Sequence, residues 1–323
     1  MLRAVPVTTL AALVSLVLGY LPAVAQTYPS RPITMVVPFA PGGASDVSGR
    51  VLANRMGEIL GQRVVIENKP GAGGAIGAEA VVRAAPDGYT LLFWNVGIAT
   101  TAHLSRLPYD PLRDLQPIGL AGSIPTILAV GAGVQAATLR DLIEMARARP
   151  EALNYGSSGI GSSDHLAVAM FESLAGVRLT HIPYRGGAPA VTAAMTGEVQ
   201  LLGLTAGSVL NQIRSGHLRA LAIASDRPYP GLPGVPTAAE AGLPGFSVDV
   251  WLGVWAPSGT PRPIVDRVNA AIRQALATDA TVAALGAAGI EAASSTTDEF
   301  TAHVGVEFER WGRVIRQANI VVQ

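Results

Sequence analysis

Residues 38–50 read "PFAPGGASDVSGR" and follow the apolar run "ITMVV" at 33–37. An apolar run that ends in Pro and Gly-Gly and reopens as a helical pattern is a buried strand feeding a helix. The turn contains neither lysine nor arginine. A second stretch of the same build, "NYGSSGIGSSDHLAVAMF", occupies residues 154–171. Any account of the chain has to explain both.

Elsewhere the same alternation recurs. "RVVIENKPGAGG" is a short strand entering a loop, Ala75 to Ala84 reads as a helix, and "TLLFW" is a strand followed by a loop, "NVGIATT". Val47, Val51, Leu52, Met56, Ile59 and Leu60 lie near one helical face. "TLRDLIEMARARP" opens with Thr138 as N-cap and Asp141 in the first turn. "RLTHIPY", "AVTAAMTGE", "VQLLGLT", "GSVLNQIRSG" and "LRALAIAS" continue the pattern, which predicts βαβ units and an α/β fold. Two long helices close the chain, with Thr260 and Thr297 as candidate caps.

Proline-punctuated segments at 107–134 and 226–245 read as two crossings between lobes. The expected division is residues 26–125 with 249–323 in one lobe and 126–248 in the other. A cleft between such lobes is a common ligand site.

The 323 residues carry 23 basic and 23 acidic side chains, a formal net charge of zero. That balance argues against nucleic acid, which selects a basic surface. Hydrophobic residues make up 49% and aromatics 5%, a composition suited to a helix-covered parallel sheet. At the N-terminus Arg3 precedes "TTLAALVSLVLGYL", and Ala23 to Ala25 form an A-x-A site before Gln26. This is a secretory signal cleaved after Ala25; as a membrane anchor the run is short and Pro22 interrupts its end. The chain has no cysteine, hence no lipid-modified thiol and no disulfide. The mature protein is expected to be soluble and exported to the periplasm.

Enzymatic readings fare poorly. The run "GAGGAIG" misses the spacing of a dinucleotide fingerprint, and neither glycine-rich loop carries a P-loop lysine. No G-x-S-x-G elbow occurs, and Ser163, Asp164 and His165 are adjacent rather than converging from separate segments. The five histidines are scattered, without metal-ligand spacing. What remains is anion capture by backbone. Glycines let successive N–H groups turn toward one guest, and a helix N-terminus carries roughly half a positive charge. Carboxylates and phosphates are the natural guests. Asp46 is read as a helix cap or loop orienter, His165 as a cleft residue or a satisfied structural histidine. Asn95 can offer an amide at the cleft edge, Trp251 and Trp255 pack in the core, and Arg185 can attract an anion or be solvated.

The segments "YPSRPITMVVPFAPGGASD", "VVIENKPGAGGAIGAEAVVRAAPDGYTLL", "GSSGIGSSDHLAVAMF", "HIPYRGGAPAV", "LRALAIAS" and "WLGVWAPSGTP" resemble the extracytoplasmic receptors of tripartite tricarboxylate transporters, the Bug-type receptors. The resemblance runs along nearly the whole mature chain. It implies a two-lobed, type II periplasmic-binding-protein fold, each lobe a mixed, mostly parallel sheet flanked by helices, with the ligand cleft between. It implies a small carboxylate ligand (di- or tricarboxylate, acidic amino acid or aromatic acid), membrane transporter subunits as partners, no cofactor and no catalysis. A monomer is expected. It also implies a site in two loops: Phe39, Ala40, Pro41, Gly42, Gly43, Ala44, Ser45 and Asp46 in one, and Ser157, Ser158, Gly161, Ser162, Ser163 and His165 in the other. Asn95 and Thr205 complete it. Val199-Gln200 stands where the family often has Val-Asp, and Arg185 replaces a common lysine; both leave the fold intact and the ligand unspecified. The competing readings are a sensory receptor with the same pocket and a secreted hydrolase working through Ser162 or Ser163.

Overall fold

The computed structural model describes residues 28–184, 186–317 and 320. The signal-like segment and Arg185 lie outside the described residues. No helix among the described residues is long and apolar enough to cross a membrane.

The chain opens with β1 (Ile33–Val37), α1 (Ala44–Leu60), β2 (Val64–Asn68), α2 (Ala75–Val82), β3 (Thr90–Asn95), α3 (Gly97–Leu104) and α4 (Pro111–Asp114). Strand β1 is buried along its length save Thr34 and pairs in parallel with β2 on one edge and β3 on the other. A strand covered on both faces needs this continuous apolar run. Helix α1 buries Ser45, Ser48, Leu52, Ala53 and Met56. Val47, expected on that face, is 37% exposed. At 100° per residue it lies about 140° from Leu52, on the solvent side. The stretch expected as the loop "NVGIATT" is instead helix α3. Its glycine and threonines are weak helix formers, but Ile98, Ala99, Thr100 and Thr101 are buried, and tertiary packing overrides propensity. The glycine run 71–77 is a packing device, as read: a Cβ on Gly74 would fall 2.6 Å from the Trp94 ring.

Strand β4 (Leu115–Gly131) then runs for 17 residues through the middle of one nine-stranded sheet among the described residues. It is followed by α5 (Leu139–Ala148), β5 (Asn154–Ser157), α6 (Ser163–Ala175), β6 (Thr180–Pro183), α7 (Gly187–Thr196), β7 (Leu201–Thr205), α8 (Ala206–Arg214) and β8 (Leu218–Ala224). Thr138 caps α5 in a reciprocal capping box with Asp141. Strand β5 pairs in parallel with β6 and β7, repeating the β1 arrangement. Finally come β9 (Asp249–Pro257), α9 (Arg262–Leu276), α10 (Asp279–Ala287) and α11 (Thr297–Gln317).

The caps of α9 and α11 differ from expectation. Thr260 Oγ1 donates to the Pro257 carbonyl and Pro261 holds the N-cap of α9. For α11 the cap is Thr296, one residue earlier than expected: it receives the Glu299 N–H at 3.2 Å, while Glu299 accepts from Thr296 N–H and Oγ1, both at 2.8 Å. Trp251 and Trp255 are core residues, packed on Phe300 of α11. Helix α11 continues to reach α3 and α6, tying the first and second halves together.

The pairing partners of β4 change midway. Residues 115–125 pair with β9, and 126–130 pair with β7. Asn95, the last residue of β3, is level with Leu252 of β9, which is level with Gly122 of β4. Thr205, the last residue of β7, is level with Thr126. The C-terminal ends of both parallel sets therefore come to one stretch of β4, Gly122–Thr126, about 13 Å long at 3.3 Å per residue. Ligands of open α/β sheets bind outside these strand ends.

Candidate functional site

Both quoted loops leave C-terminal strand ends, and they are built alike. In the first, Gly42 adopts φ 88°, a left-handed conformation that glycine tolerates. Its N–H donates to Asp46 Oδ2 at 2.9 Å. Asp46 also receives Arg50 Nε at 3.0 Å and Asn68 Nδ2 at 2.9 Å, and Asn68 Nδ2 bonds the Phe39 carbonyl at 3.0 Å. Burial alone would raise the Asp46 pKa, but the bonds from Arg50, Gly42 and Asn68 bring it down to about 2. Asp46 thus orients the loop from the third position of α1, and Gly43, not Asp46, is the N-cap. The first-turn N–H groups at Ala44 and Ser45 have no intrahelical acceptor, as at any helix start, and Gly43 has no side chain to supply one.

In the second loop Gly161 adopts φ 78°, and its N–H donates to His165 Nδ1 at 3.0 Å. Ser162 is the N-cap of α6: its Oγ donates to the Gly159 carbonyl at 2.7 Å and accepts the His165 N–H at 3.3 Å. Asp164 receives both the N–H and the hydroxyl of Ser158, the latter at 2.7 Å. The first-turn amides of Ser163 and Asp164 have no intrahelical acceptor, and the Ser162 cap serves the His165 N–H instead. Asp46 and His165 hold equivalent positions, each four residues past its glycine. The His165 and His181 rings stack with centroids 4.0 Å apart and planes 9° apart, and Tyr155 stacks on His181 at 4.8 Å. Burial, then the neighbouring His181, lower the His165 pKa to about 4, so the ring is neutral and free to accept.

The expected residues divide into two groups. Ala40, Pro41, Gly42, Gly43 and Ala44 are exposed, with Phe39 half-buried; Ser158, Gly161, Ser162 and Ser163 are half-buried. Ser45, Asp46, Ser157 and His165 are buried and serve as framework. Asn95 is half-buried; its Oδ1 accepts the Gly97 N–H at 2.8 Å, and its NH₂ has no hydrogen-bond acceptor among the described residues. Thr205 is the N-cap of α8 and contacts Ser208 Oγ at 3.2 Å. A Cβ on Gly187 would sit 3.6 Å from Ser208 Oγ and 3.7 Å from Ser158 Oγ. The loops after β5, β6 and β7 thereby converge on Ser158, Gly187 and Thr205/Ser208.

Sequence reasoning missed Asn68, His181, Gly187 and Ser208. Asn68 had one signal, an Asn at a strand end before Pro-Gly. The others act through pairings at long sequence separation. Ser157 Oγ and His181 Nε2, 2.6 Å apart, have the spacing of a nucleophile and its base. Ser157 has 0% exposure, so no substrate reaches it. Ser162, the expected alternative nucleophile, spends its hydroxyl on the helix cap.

A family profile described as a tripartite tricarboxylate transporter family receptor matches residues 48–320. Protein BugT of Bordetella pertussis is 40% identical over 299 residues, covering 92% of each chain. Among solved structures, Rpa4515 of R. palustris with adipate is 35% identical with a TM-score of 0.80, covering 91% of this chain and 99% of that one. MatC from Rhodopseudomonas palustris, with bound malate, is 33% identical with a TM-score of 0.75, covering 89% and 100%.

Proposed function

Because the chain belongs to the tripartite tricarboxylate transporter receptor family, we propose that it is an exported receptor that closes two lobes around a small carboxylate and delivers it to membrane transporter subunits. The lobes are residues 26–125 with 249–323 and residues 126–248, divided where β4 exchanges β9 for β7 as its partner. Export follows from the N-terminal segment, cleaved after Ala25, and delivers a monomer to the periplasm.

One observation carries this reading: two strand-to-helix loops of the same construction, at strand ends that register brings to a common stretch of β4. In each, the glycine amide is already satisfied by a side chain, and the amides just inside the helix are left for a guest. A carboxylate fits such donors, since charge-assisted bonds to backbone N–H groups are about twice as strong as neutral ones. The exposed residues Ala40–Ala44 and the half-buried Gly161–Ser163 form the contact surface, with Asn95, Ser158 and Thr205 at its margins. The adipate and malate bound by two similar proteins support a dicarboxylate over a larger solute. Binding shifts the lobes toward closure only by the ligand's differential affinity for the closed state.

A thermal-shift panel of mono-, di- and tricarboxylates, acidic amino acids and aromatic acids tests the proposal on residues 26–323. A native-state ligand at a hundredfold excess over its Kd stabilises by about 2.7 kcal/mol. A rise confined to one carboxylate class supports the reading; a flat panel across all of them with folded protein refutes it.

A further inference from the structure

Four helix starts, those of α1, α5, α6 and α11, are closed by a side chain on the third helical residue. Asp141 does this for α5 and Glu299 for α11, each a carboxylate receiving N–H groups that precede it. Asp46 does it for α1. At α6 the position is held by His165, and its acceptor is a ring nitrogen with a lone pair that one proton removes. His165 is also the one of these four whose ring is pressed against a second imidazole, at 4.0 Å. That second ring, His181, holds Ser157 Oγ at 2.6 Å, at the other end of the same loop.

We propose that His165 and His181 are positioning residues for ligand capture: the stacked neutral rings hold residues 157–162 in their ligand-receiving shape, and protonation of His165 frees the Gly161 amide and loosens the loop. The inference rests on the reading that this loop receives the ligand.

The bond balance is simple. Gly161 N–H donates to Nδ1, so Nδ1 carries no proton, and Nε2–H is the neutral tautomer's only N–H. A proton added at Nδ1 turns the acceptor into a donor facing another donor, and the Gly161 bond is lost. A cationic His165 also faces His181 at stacking distance, which disfavours a second charge. The groups around the ring are Asp164 on its own helix, His181 on β6, Tyr155 on β5 and Glu172 a few turns along α6. Arg147 of α5 and Arg178 after α6 line, with Tyr155, His165 and Glu172, a surface cavity of about 540 Å³. Strand β7, also packed on α6, brings no titratable side chain, and α11, packed on α6 too, places Arg310 and Arg313 beside Met170 and Ser173, more than a turn beyond His165. The cavity reaches Tyr155 and His165 and is lined by no residue of 157–163. Burial lowers both rings' pKa values, with Asp164 opposing it at His181.

Hydrogen exchange of the Gly161 amide, read by NMR on the ligand-free chain from pH 7 to pH 3 and corrected for intrinsic rate, tests this. In the unaltered protein, protection falls at least tenfold with a midpoint matching the His165 ring titration. The variant His165→Asn keeps an acceptor near the Nδ1 position and cannot titrate; it retains protection throughout. His181→Gln, the second variant, keeps a partner for Ser157 but removes the stack, and its Gly161 midpoint moves up. Affinity for adipate and malate is then compared between the unaltered protein and His165→Asn at pH 7 and pH 3.5, below the His165 value of about 4, so that ligand ionisation cancels. A drop at least threefold larger in the unaltered protein is expected. Equal drops, tighter binding on acidification relative to His165→Asn, or Gly161 protection that ignores His165 titration overturns the inference. Absence of adipate and malate binding at pH 7 counts against the carboxylate reading instead, and the Gly161 exchange still decides the inference.

Discussion

Gly161 stands to His165 as Gly42 stands to Asp46: a left-handed glycine donates its N–H to a side chain four residues ahead, at 3.0 Å and 2.9 Å. Each contact satisfies a loop amide just ahead of the helix start. Each also fixes the direction of the next amides. The two halves of the chain share this device with no sequence identity between the acceptors, one a carboxylate and the other an imidazole.

Gly43 is the position where the proposed amide surface can be blocked without disturbing the fold. Its φ of −77° suits any residue, and a Cβ there would meet only the Ala40 carbonyl, at 3.8 Å. Gly43→Val is expected to lower stability by no more than about 1 kcal/mol. It should weaken carboxylate binding about tenfold or more, the loss of roughly one charge-assisted bond. Calorimetric titration beside thermal melting separates the two effects.

Asp46→Ala strands the Gly42 N–H and an Asn68 amide hydrogen. Gly42 is exposed and Asn68 half-buried, so the freed donors can turn to water, and the loss expected by urea unfolding at pH 7 is about 1–2 kcal/mol, the range spanned by ordinary hydrogen bonds and the weaker of those to a charged group. The Asp46 pKa lies near 2, below the ordinary 3.8. Its stabilisation is present above the ordinary value and disappears as pH falls through about 2. The difference between the unaltered protein and Asp46→Ala should therefore narrow on acidification.

Asp249 behaves in the opposite sense. It begins β9, level with Pro125, and among the described residues its buried Oδ1 has no hydrogen-bond partner. Burial, partly offset by Arg227 and reinforced by Glu291, raises its pKa to about 6. A raised carboxylate binds more protons in the folded than in the unfolded state, so stability falls as pH rises from 3.8 through 6. Asp249→Asn is expected to raise stability at pH 7.5 by at most about 3 kcal/mol, from 1.36 kcal/mol per pKa unit. The gain should vanish by pH 4, and melting curves across that range measure it.

Glu307 of α11 accepts Trp251 Nε1 at 2.9 Å and Trp311 Nε1 at 3.0 Å from the same oxygen, and Arg310 pairs with its other oxygen at 3.2 Å. Glu307→Ala leaves two buried indole N–H groups and is expected to cost about 3–5 kcal/mol. Glu307→Gln, which keeps an oxygen acceptor, should recover more than half of that loss in denaturant unfolding.

Much of the fold was legible in the primary structure because local signals agreed. The run Ile33–Val37, the Pro-Gly-Gly turn and the period of Leu52 and Met56 all announce one βα unit. Thr138 and Asp141 announce a helix start three residues apart. Legibility failed where tertiary packing decided. Helix α3 forms from weak helix formers because Ile98 and Ala99 are sealed in the core, and Val47 points outward because Leu52 and Met56 set the phase of α1. At the site, the loops themselves were legible, but the roles within them were not. Nothing local separates Asp46 and His165 as loop-orienting acceptors from Ala44 and Ser163 as donors without an intrahelical acceptor. His181, 16 residues beyond His165 in the chain, joins it only because β6 lies beside β5.

The most direct test of the account is a calorimetric titration of residues 26–323 with adipate and malate, each beside its uncharged diamide. Recognition by loop amides and helix starts predicts measurable binding of at least one acid and a loss of a hundredfold or more for its diamide. Equal binding of acid and diamide, or no binding by any small carboxylate, would contradict it.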